Sequence, residues 1–397
     1  MSWDFDRLLR PLSVPEFLEA RYDGGAFRLP GTLGKFSELF SWAELSALVE
    51  HHVFNPTELQ LLDKGKRLPA DRLFRERSSS FGATDRRKVD SAALMAELRA
   101  GKSLLLTDVH HLSPRIGEAS RAIARACGEE VRATLIASTA ESQGFLPHWD
   151  NEDTLIVQVD GQKRWRLYGQ AEALHEDLTS GLQRAPDRRP DEILVGNGDA
   201  IWVPRAWWHD AQSVAGPALQ IMFWITRRTG LDLLGELHRR CLTDPRFLAP
   251  LSRFAPVEEK RARARAMREA LVDLFGDGAI DGFFRTLDEV ADLPSTCDLP
   301  WSASPEALAP ELTDRVQLHL PSRASVDLDE ESGEALLRAG GQQWAFPAAT
   351  RRLLTLLMSS KSYAVAELCQ AVDADADEVR AFLGELVSAG LVVRDRG

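Results

Sequence analysis

Phe145-Leu146-Pro147-His148-Trp149-Asp150 and, further on, Gly198-Asp199-Ala200-Ile201-Trp202-Val203-Pro204-Arg205-Ala206-Trp207-Trp208-His209 are the two stretches on which the reading of this chain turns. Residues two apart on an extended strand point to the same face, so His148 and Asp150 are placed to bind one ion together. The second stretch reads as a turn, a buried strand, a proline break and then a histidine. Two imidazoles and one carboxylate on a rigid sheet form a facial triad, which leaves positions on divalent iron open for a cosubstrate and dioxygen. A histidine and an aspartate two apart are by themselves a weak pattern, equally at home in a polar loop. Two half-motifs in this order favour the metal site, and with it an oxygenase.

Around these stretches, Val131 to Thr139, Thr154 to Val159, Arg164 to Tyr168, Ala200 to Val203 and Leu219 to Thr226 are short apolar runs parted by Gly, Pro, Asn and Asp. Such runs predict a small sandwich or barrel whose mouth holds a ligand. Asp160-Gly161, between two of them, predicts a tight hairpin. Upstream, Ser13-Val14-Pro15-Glu16 and Ser41-Trp42-Ala43-Glu44 carry helix-start signatures, Val53 to Leu62 and Ser103 to Thr107 read as strands, and Pro114 to Cys127 reads as an amphipathic helix. Downstream of about residue 229 the pattern turns helical, as in Leu231 to Cys241 and Val257 to Phe275. The basic cluster on the latter, Lys260 to Arg268, reads first as a solvated helix face. After a Pro- and Ser-rich stretch at 294–305, a strand at Val316 to Leu320 and helical segments at Ala348 to Met358, Ala364 to Val372 and Asp375 to Ala389 resemble a winged helix. Residues 349–397 hold seven acids and six bases, which argues against a DNA reader.

With 397 residues, two or three domains are expected. The content of 44% hydrophobic and 27% charged residues is that of a soluble globular protein, and no window approaches the roughly 18 apolar residues of a membrane helix. Met1 to Asp6 does not read as a signal peptide, so a cytoplasmic location and no membrane partner are expected. A net charge of −12 disfavours nucleic acid as a partner. Cys127, Cys241, Cys297 and Cys369 are scattered, without the spacing of a zinc knuckle or a disulfide framework.

Iron at such a triad activates dioxygen when a cosubstrate supplies two electrons, commonly 2-oxoglutarate, whose distal carboxylate needs a buried cation. Lys163 and Trp165 share one face of their strand while Arg164 and Arg166 share the other. An inward tryptophan belongs in a core, and a lone inward lysine needs an anion. Thr226 is a further candidate donor to that carboxylate.

Taken with the run from Leu155 to Tyr168, these stretches resemble the JmjC-type cupins called ribosomal oxygenases, as does the segment from Leu12-Ser13 through Phe27-Arg28-Leu29-Pro30-Gly31. The resemblance implies an α+β chain: a double-stranded β-helix (cupin barrel) over 1–228, a helical dimerisation domain over 229–304 and a winged-helix domain over 305–397. It implies Fe(II) on His148, Asp150 and His209, 2-oxoglutarate on Lys163 and Thr226, and hydroxylation of an arginine or histidine side chain in a ribosomal protein by a homodimer. Ile136 stands where some members have a tyrosine that contacts the cosubstrate, leaving Ser138 or Thr139 as replacements. Trp149 and Trp208 are candidate walls of the substrate pocket, with ordinary core aromatics as the other reading, and Asn151, Asp153 and Asp210 are candidate contacts at its mouth. The same chemistry on a ribosomally made natural-product precursor peptide, a noncatalytic metal-binding cupin scaffold and a demethylase are the competing readings.

Overall fold

The computed structural model describes residues 3–63, 66–68, 73–74, 87–139, 145–171, 187–290, 309–318, 325–329, 332–339, 341–358 and 362–394. The chain separates into two compact units, Met1–Arg227 and Arg228–Gly397.

In the first unit the apolar runs form seven strands: β1 (Val131–Ser138), β2 (Asp153–Asp160), β3 (Gln162–Gln170), β4 (Asp191–Gly196), β5 (Ala200–Val203), β6 (Trp207–Ser213) and β7 (Ala218–Ile225). They divide between two antiparallel sheets. One has the order Phe27–Leu29, β5, β2, β7, β1, Ser103–Leu106, Leu59–Asp63, Lys66–Leu68; the other is β4-β3-β6. Alternation decides which side chains go where. Ile136, Ile156, Ile201 and Met222 from the large sheet meet Trp165, Leu167 and Val195 from the small one, while Leu155, Val157, Leu219 and Phe223 face an outer layer with Phe17, Phe36 and Phe40. Burial on both faces is why β2 and β7 read as continuous apolar runs.

Helices of that layer begin where their caps predict. Ser13 and Glu16 form a reciprocal capping box at Val14–Ala20, and Ser41 Oγ accepts from Glu44 N at 3.2 Å ahead of Trp42–His51.

The Asp160-Gly161 hairpin is a correction. β2 and β3 do not pair; β2 lies between β5 and β7, and β3 lies between β4 and β6. Gly161, with φ +70°, instead turns the corner from one sheet to the other, and a Cβ there would stand 2.1 Å from the Pro217 carbonyl oxygen. Asp-Gly reports the positive φ but not the sheet in which the next strand finds partners. The strand expected over Val53 to Leu62 is two, Val53–Phe54 and Leu59–Asp63, parted by a turn at Asn55 to Glu58.

The Gly198-Asp199 turn binds the amino-terminal arm to the barrel. Asp199, 5% exposed, accepts from Gly31 N at 2.9 Å, Gly196 N at 2.8 Å and Arg28 Nε at 3.1 Å. Burial alone would raise its pKa, but these donors outweigh burial and hold the carboxyl below the usual range. Asp199→Ala strands three donors and is expected to cost about 3 kcal/mol at pH 7. Because the folded pKa is depressed, that stabilisation is present above the ordinary carboxylate pKa and is lost as pH falls through the lowered one. Urea unfolding of both proteins at pH 7 and pH 3 checks this: the gap between them should shrink at the acid end.

In the second unit, Gly230–Cys241, Val257–Leu274 and Ala279–Val290 are helices with a small core of Leu233, Leu237 and Phe283. Arg315–Leu318 pairs with Tyr363–Ala364 and Val392–Arg394, and this small sheet shares a core with Arg351–Leu357, Val365–Val372 and Ala376–Ser388. A further meander, Ser325–Leu328, Ala335–Ala339 and Gln342–Phe346, was not expected, although Ala335, Leu337 and Ala339 alternate as a half-buried strand should. His319, Leu320, Cys297 and the Pro- and Ser-rich stretch lie outside the described residues, apart from its neighbours from 309 on.

Candidate active site

His209 enters from β6, and His148 pairs with it outside the named strands: His148 N donates to His209 O at 3.0 Å and His209 N to His148 O at 2.8 Å. Asp150 is held in the same way, its carbonyl accepting from Ala206 N at 2.8 Å. The residue that makes this bond, Ala206, has φ +64°, so the turn between β5 and β6 is bent to meet the triad.

Main-chain carbonyls orient both imidazoles. Nδ1 of His148 lies 2.8 Å from Leu146 O and Nδ1 of His209 lies 2.8 Å from Trp207 O, so each ring donates from Nδ1 and leaves its Nε2 lone pair facing inward. One ligand atom from each of His148, Asp150 and His209 lies within 4.8 Å of the others. Burial first, then the neighbouring His148, pushes His209 down to about 4, so it is neutral at physiological pH. Asp150 Oδ2 is buried and has no hydrogen-bond donor among the described residues, 3.4 Å from His209 Nε2. Two lone pairs and a buried carboxylate oxygen that converge without bonding one another fit a divalent cation.

The triad opens into a cavity of about 870 Å³. Lys163 lines it from β3, 4% exposed and with no carboxylate partner among the described residues, and burial pushes its ammonium down to about 7. The β3–β6 ladder sets Lys163 opposite Ser213, Trp165 opposite Ala211 and Leu167 opposite His209. Lys163 therefore enters four residues below His209, about 13 Å along the strand, with Trp165 halfway between. A cation at one end and a cation-binding triad at the other suit a short dicarboxylate.

The structure relocates several expected site residues. Thr226 lies past the end of β7, its N–H bonded to Glu130 O, while the lysine end of that strand is near Gln220, about 20 Å away. It does not line the cavity. Ser138 shares its hydroxyl with Ser103 Oγ at 3.0 Å, and neither Ser138 nor Thr139 lines the cavity. Buried polar groups that do face it are Thr134 and Gln220, the latter directly opposite Ile136 on the β7–β1 ladder, 2% exposed and with Oε1 unpartnered among the described residues. A glutamine inside the apolar run Leu219 to Ile225 was the available signal.

Among the expected substrate contacts, Trp149 and Asn151 line the cavity. Asp153 does not: it accepts from Arg205 N at 2.7 Å and pairs with Arg227 at 3.3 Å, closing the barrel wall. Trp208 and Asp210 alternate away from His209. Trp208 packs on Trp149 and Ala206, and Asp210 faces Arg166 on the outer side of the small sheet. Arg132 and Glu152, joined by two hydrogen bonds of 3.0 and 2.8 Å, line the cavity and were not anticipated.

Residues 112–233 match the family model of the JmjC domain. The bifunctional lysine-specific demethylase and histidyl-hydroxylase NO66 of Drosophila persimilis is 27% identical over 210 residues, which cover 52% of this chain and 29% of that protein. Ribosomal oxygenase 2 of Rattus norvegicus is 30% identical over 99 residues, covering 25% of this chain and 21% of its own length. The chain thus matches less than a third of the length of these relatives. A structure of YcfD, a ribosomal oxygenase from Escherichia coli, is 17% identical with a TM-score of 0.59 over 100% of both chains. Another, of YcfD in complex with cobalt and 2-oxoglutarate, has a TM-score of 0.58 at 17% identity over 97% of this chain and 98% of that one, and these likenesses establish a shared fold. Residues 112–233 thus match a JmjC domain, and the chain is similar to ribosomal oxygenases in sequence over part of its length and in fold over its whole length.

Proposed function

We propose that this chain is a 2-oxoglutarate- and Fe(II)-dependent oxygenase that hydroxylates an arginine or histidine side chain of a ribosomal protein. The carrying observation is that one cavity joins an inward His148–Asp150–His209 triad to a buried lysine without a counter-charge among the described residues. Bound iron would supply dioxygen activation coupled to decarboxylation of 2-oxoglutarate. The chain's own part is to hold, orient and exclude water. Both imidazoles present Nε2 because their Nδ1 protons are held by carbonyls, Lys163 receives the distal carboxylate, and Trp165 and Gln220 offer buried polar atoms beside its path. Phe145, Met222 and Trp224 give the cavity an apolar wall.

Cosubstrate affinity should depend on pH through Lys163. The carboxylate binds the protonated amine, whose pKa in the free protein is about 7 and rises in the complex. Affinity is therefore greatest below about pH 7 and falls up to about tenfold per unit above it. Anaerobic titrations with 2-oxoglutarate at pH 6.5 and 8.5 measure this, and equal affinities would remove Lys163 from the carboxylate site.

The assembly belongs to the same proposal. Leu231, Leu234, Leu242, Leu248, Leu251 and Phe254 are each at least 55% exposed in a segment whose own core is small, which supports a helical dimerisation domain over 229–304 and a homodimer. The three helices and small sheet after residue 305 support a winged-helix module that contacts protein rather than DNA. No helix among the described residues is long and apolar enough to cross a membrane, and a cytoplasmic location goes with a ribosomal target.

Incubating the protein with Fe(II), 2-oxoglutarate and a ribosomal-protein fraction, followed by mass spectrometry, tests the substrate. One protein should gain a single oxygen at one arginine or histidine. Cosubstrate binding without any such gain would sink the ribosomal target and leave the oxygenase standing, with precursor peptides next to be tried.

A further inference from the structure

The outer face of the small sheet carries a buried carboxylate directly behind the metal triad. Asp210 is 1% exposed and alternates away from the cavity, yet it is the residue after His209. Its Oδ1 accepts from Arg166 Nε at 2.9 Å and lies 2.9 Å from a second guanidinium nitrogen; its Oδ2 accepts from the Tyr168 hydroxyl at 2.7 Å.

One of those partners stands just before an irregularity in the ladder and the other within it. Asp210 pairs with Arg166, His209 with Leu167, but Trp208 pairs with Gly169, so Tyr168 is an extra residue opposite the step from Trp208 to His209. Gly169, φ +84°, takes the bend. Among the described residues β6 is also the edge strand of its sheet, so beyond β3 its backbone support at His209 is the isolated bridge to His148. A bulge re-aims the side chains beside it, and next to an edge strand its local twist is less constrained than between strands paired on both sides, which leaves freedom in the direction of His209. A carboxylate that grips Arg166 before the bulge and Tyr168 within it removes that freedom.

We infer that Asp210, through Arg166 and Tyr168, is a positioning residue for the metal centre: it fixes the bulge that sets His209 Nε2 relative to His148 and Asp150. The inference rests on the metal-site reading above. Outer partners of metal-binding histidines typically change metal affinity by about 10- to 100-fold when removed. Here the action is indirect, because the imidazole's own Nδ1 bond goes to Trp207 O.

The test uses Co(II) as the probe, with affinity from calorimetry and the visible ligand-field spectrum, on the whole chain. Tyr168→Phe removes one oxygen and keeps the ring; it should weaken Co(II) binding by up to about 10-fold and shift the spectrum. Asp210→Asn should weaken it by about 10- to 100-fold, and the double variant should be no worse than Asp210→Asn, since both changes open the same clasp. Arg164→Met, on the same outer face one ladder step below, should leave affinity and spectrum unchanged. Folded Tyr168→Phe and Asp210→Asn proteins with wild-type affinity and spectrum would reduce the clasp to a stabilising cluster and overturn the inference. A wild-type protein that binds no Co(II) would instead overturn the metal-site reading beneath it.

Discussion

On the proposed function, His209→Ala is expected to remove metal binding and turnover together. The imidazole is 3% exposed, its Nε2 lies among the other ligand atoms, and His148 with Asp150 alone leaves two protein ligands from one short segment. Loss of outer partners already costs metal sites about 10- to 100-fold, so loss of a ligand should exceed 100-fold in affinity and bring 2-oxoglutarate turnover to background. The fold should survive, because the bridge between His148 and His209 is made by main-chain N–H and C=O groups that alanine retains. Besides the ring's packing against Trp165 and His148, the loss is the bond from Nδ1 to Trp207 O, worth about 1 kcal/mol, so a lower Tm but a folded protein is expected. Anaerobic Fe(II) titration, succinate release and thermal unfolding on one preparation separate these effects. Stoichiometric metal at wild-type affinity in this variant would place the metal elsewhere.

Lys163→Met has the next largest effect and separates the two ends of the cavity. Metal affinity should hold, since the lysine enters four residues down the ladder from His209. Affinity for 2-oxoglutarate should fall by about 100- to 1,000-fold, the scale of breaking a desolvated charge pair. Stability should move the other way. Below pH 7 the wild-type folded state carries a buried ammonium without a carboxylate among the described residues, and methionine fills the same volume without it. The unfolded lysine keeps its proton up to about pH 10.4, so wild-type stability rises with pH from about 7 upward. The variant's advantage in Tm, several degrees at pH 6, should shrink over that window. Calorimetric titration with 2-oxoglutarate and melts at pH 6 and 9 check both halves; a variant that binds the cosubstrate normally, or that melts below wild type at pH 6, contradicts the placement of Lys163.

Particular residues show how far the sequence reaches. The spacing of His148 and Asp150 and the run that ends in His209 point to one ion, and the three come together although His148 and Asp150 precede the strand that begins at Asp153. Strand periodicity, a local property, puts Lys163 and Trp165 on one inward face, where both lie. The caps at Ser13 and Ser41 are legible for the same reason, since each is closed by a group three residues away.

What failed was everything that depends on which strand lies beside which. Asp160-Gly161 has the composition of a hairpin turn, but pairing is settled by the partners waiting in two different sheets, and Gly161 became a corner. Thr226 and Gln220 sit on or just past one strand, and only the stagger of β7 against β1 and β2 puts the glutamine at the lysine's end and the threonine at the other. Asp210 is polar, adjacent to a ligand and near a mouth in sequence, yet alternation turns it outward and long-range partners bury it. The sequence by itself thus determined the candidate ligand types, their facing and the family they resemble, because those follow from neighbours within a few residues. Tertiary structure alone decided the sheet assignment, the depth of each polar group in the barrel and the support behind His209, because these depend on registers between segments distant in the chain, which local patterns do not specify.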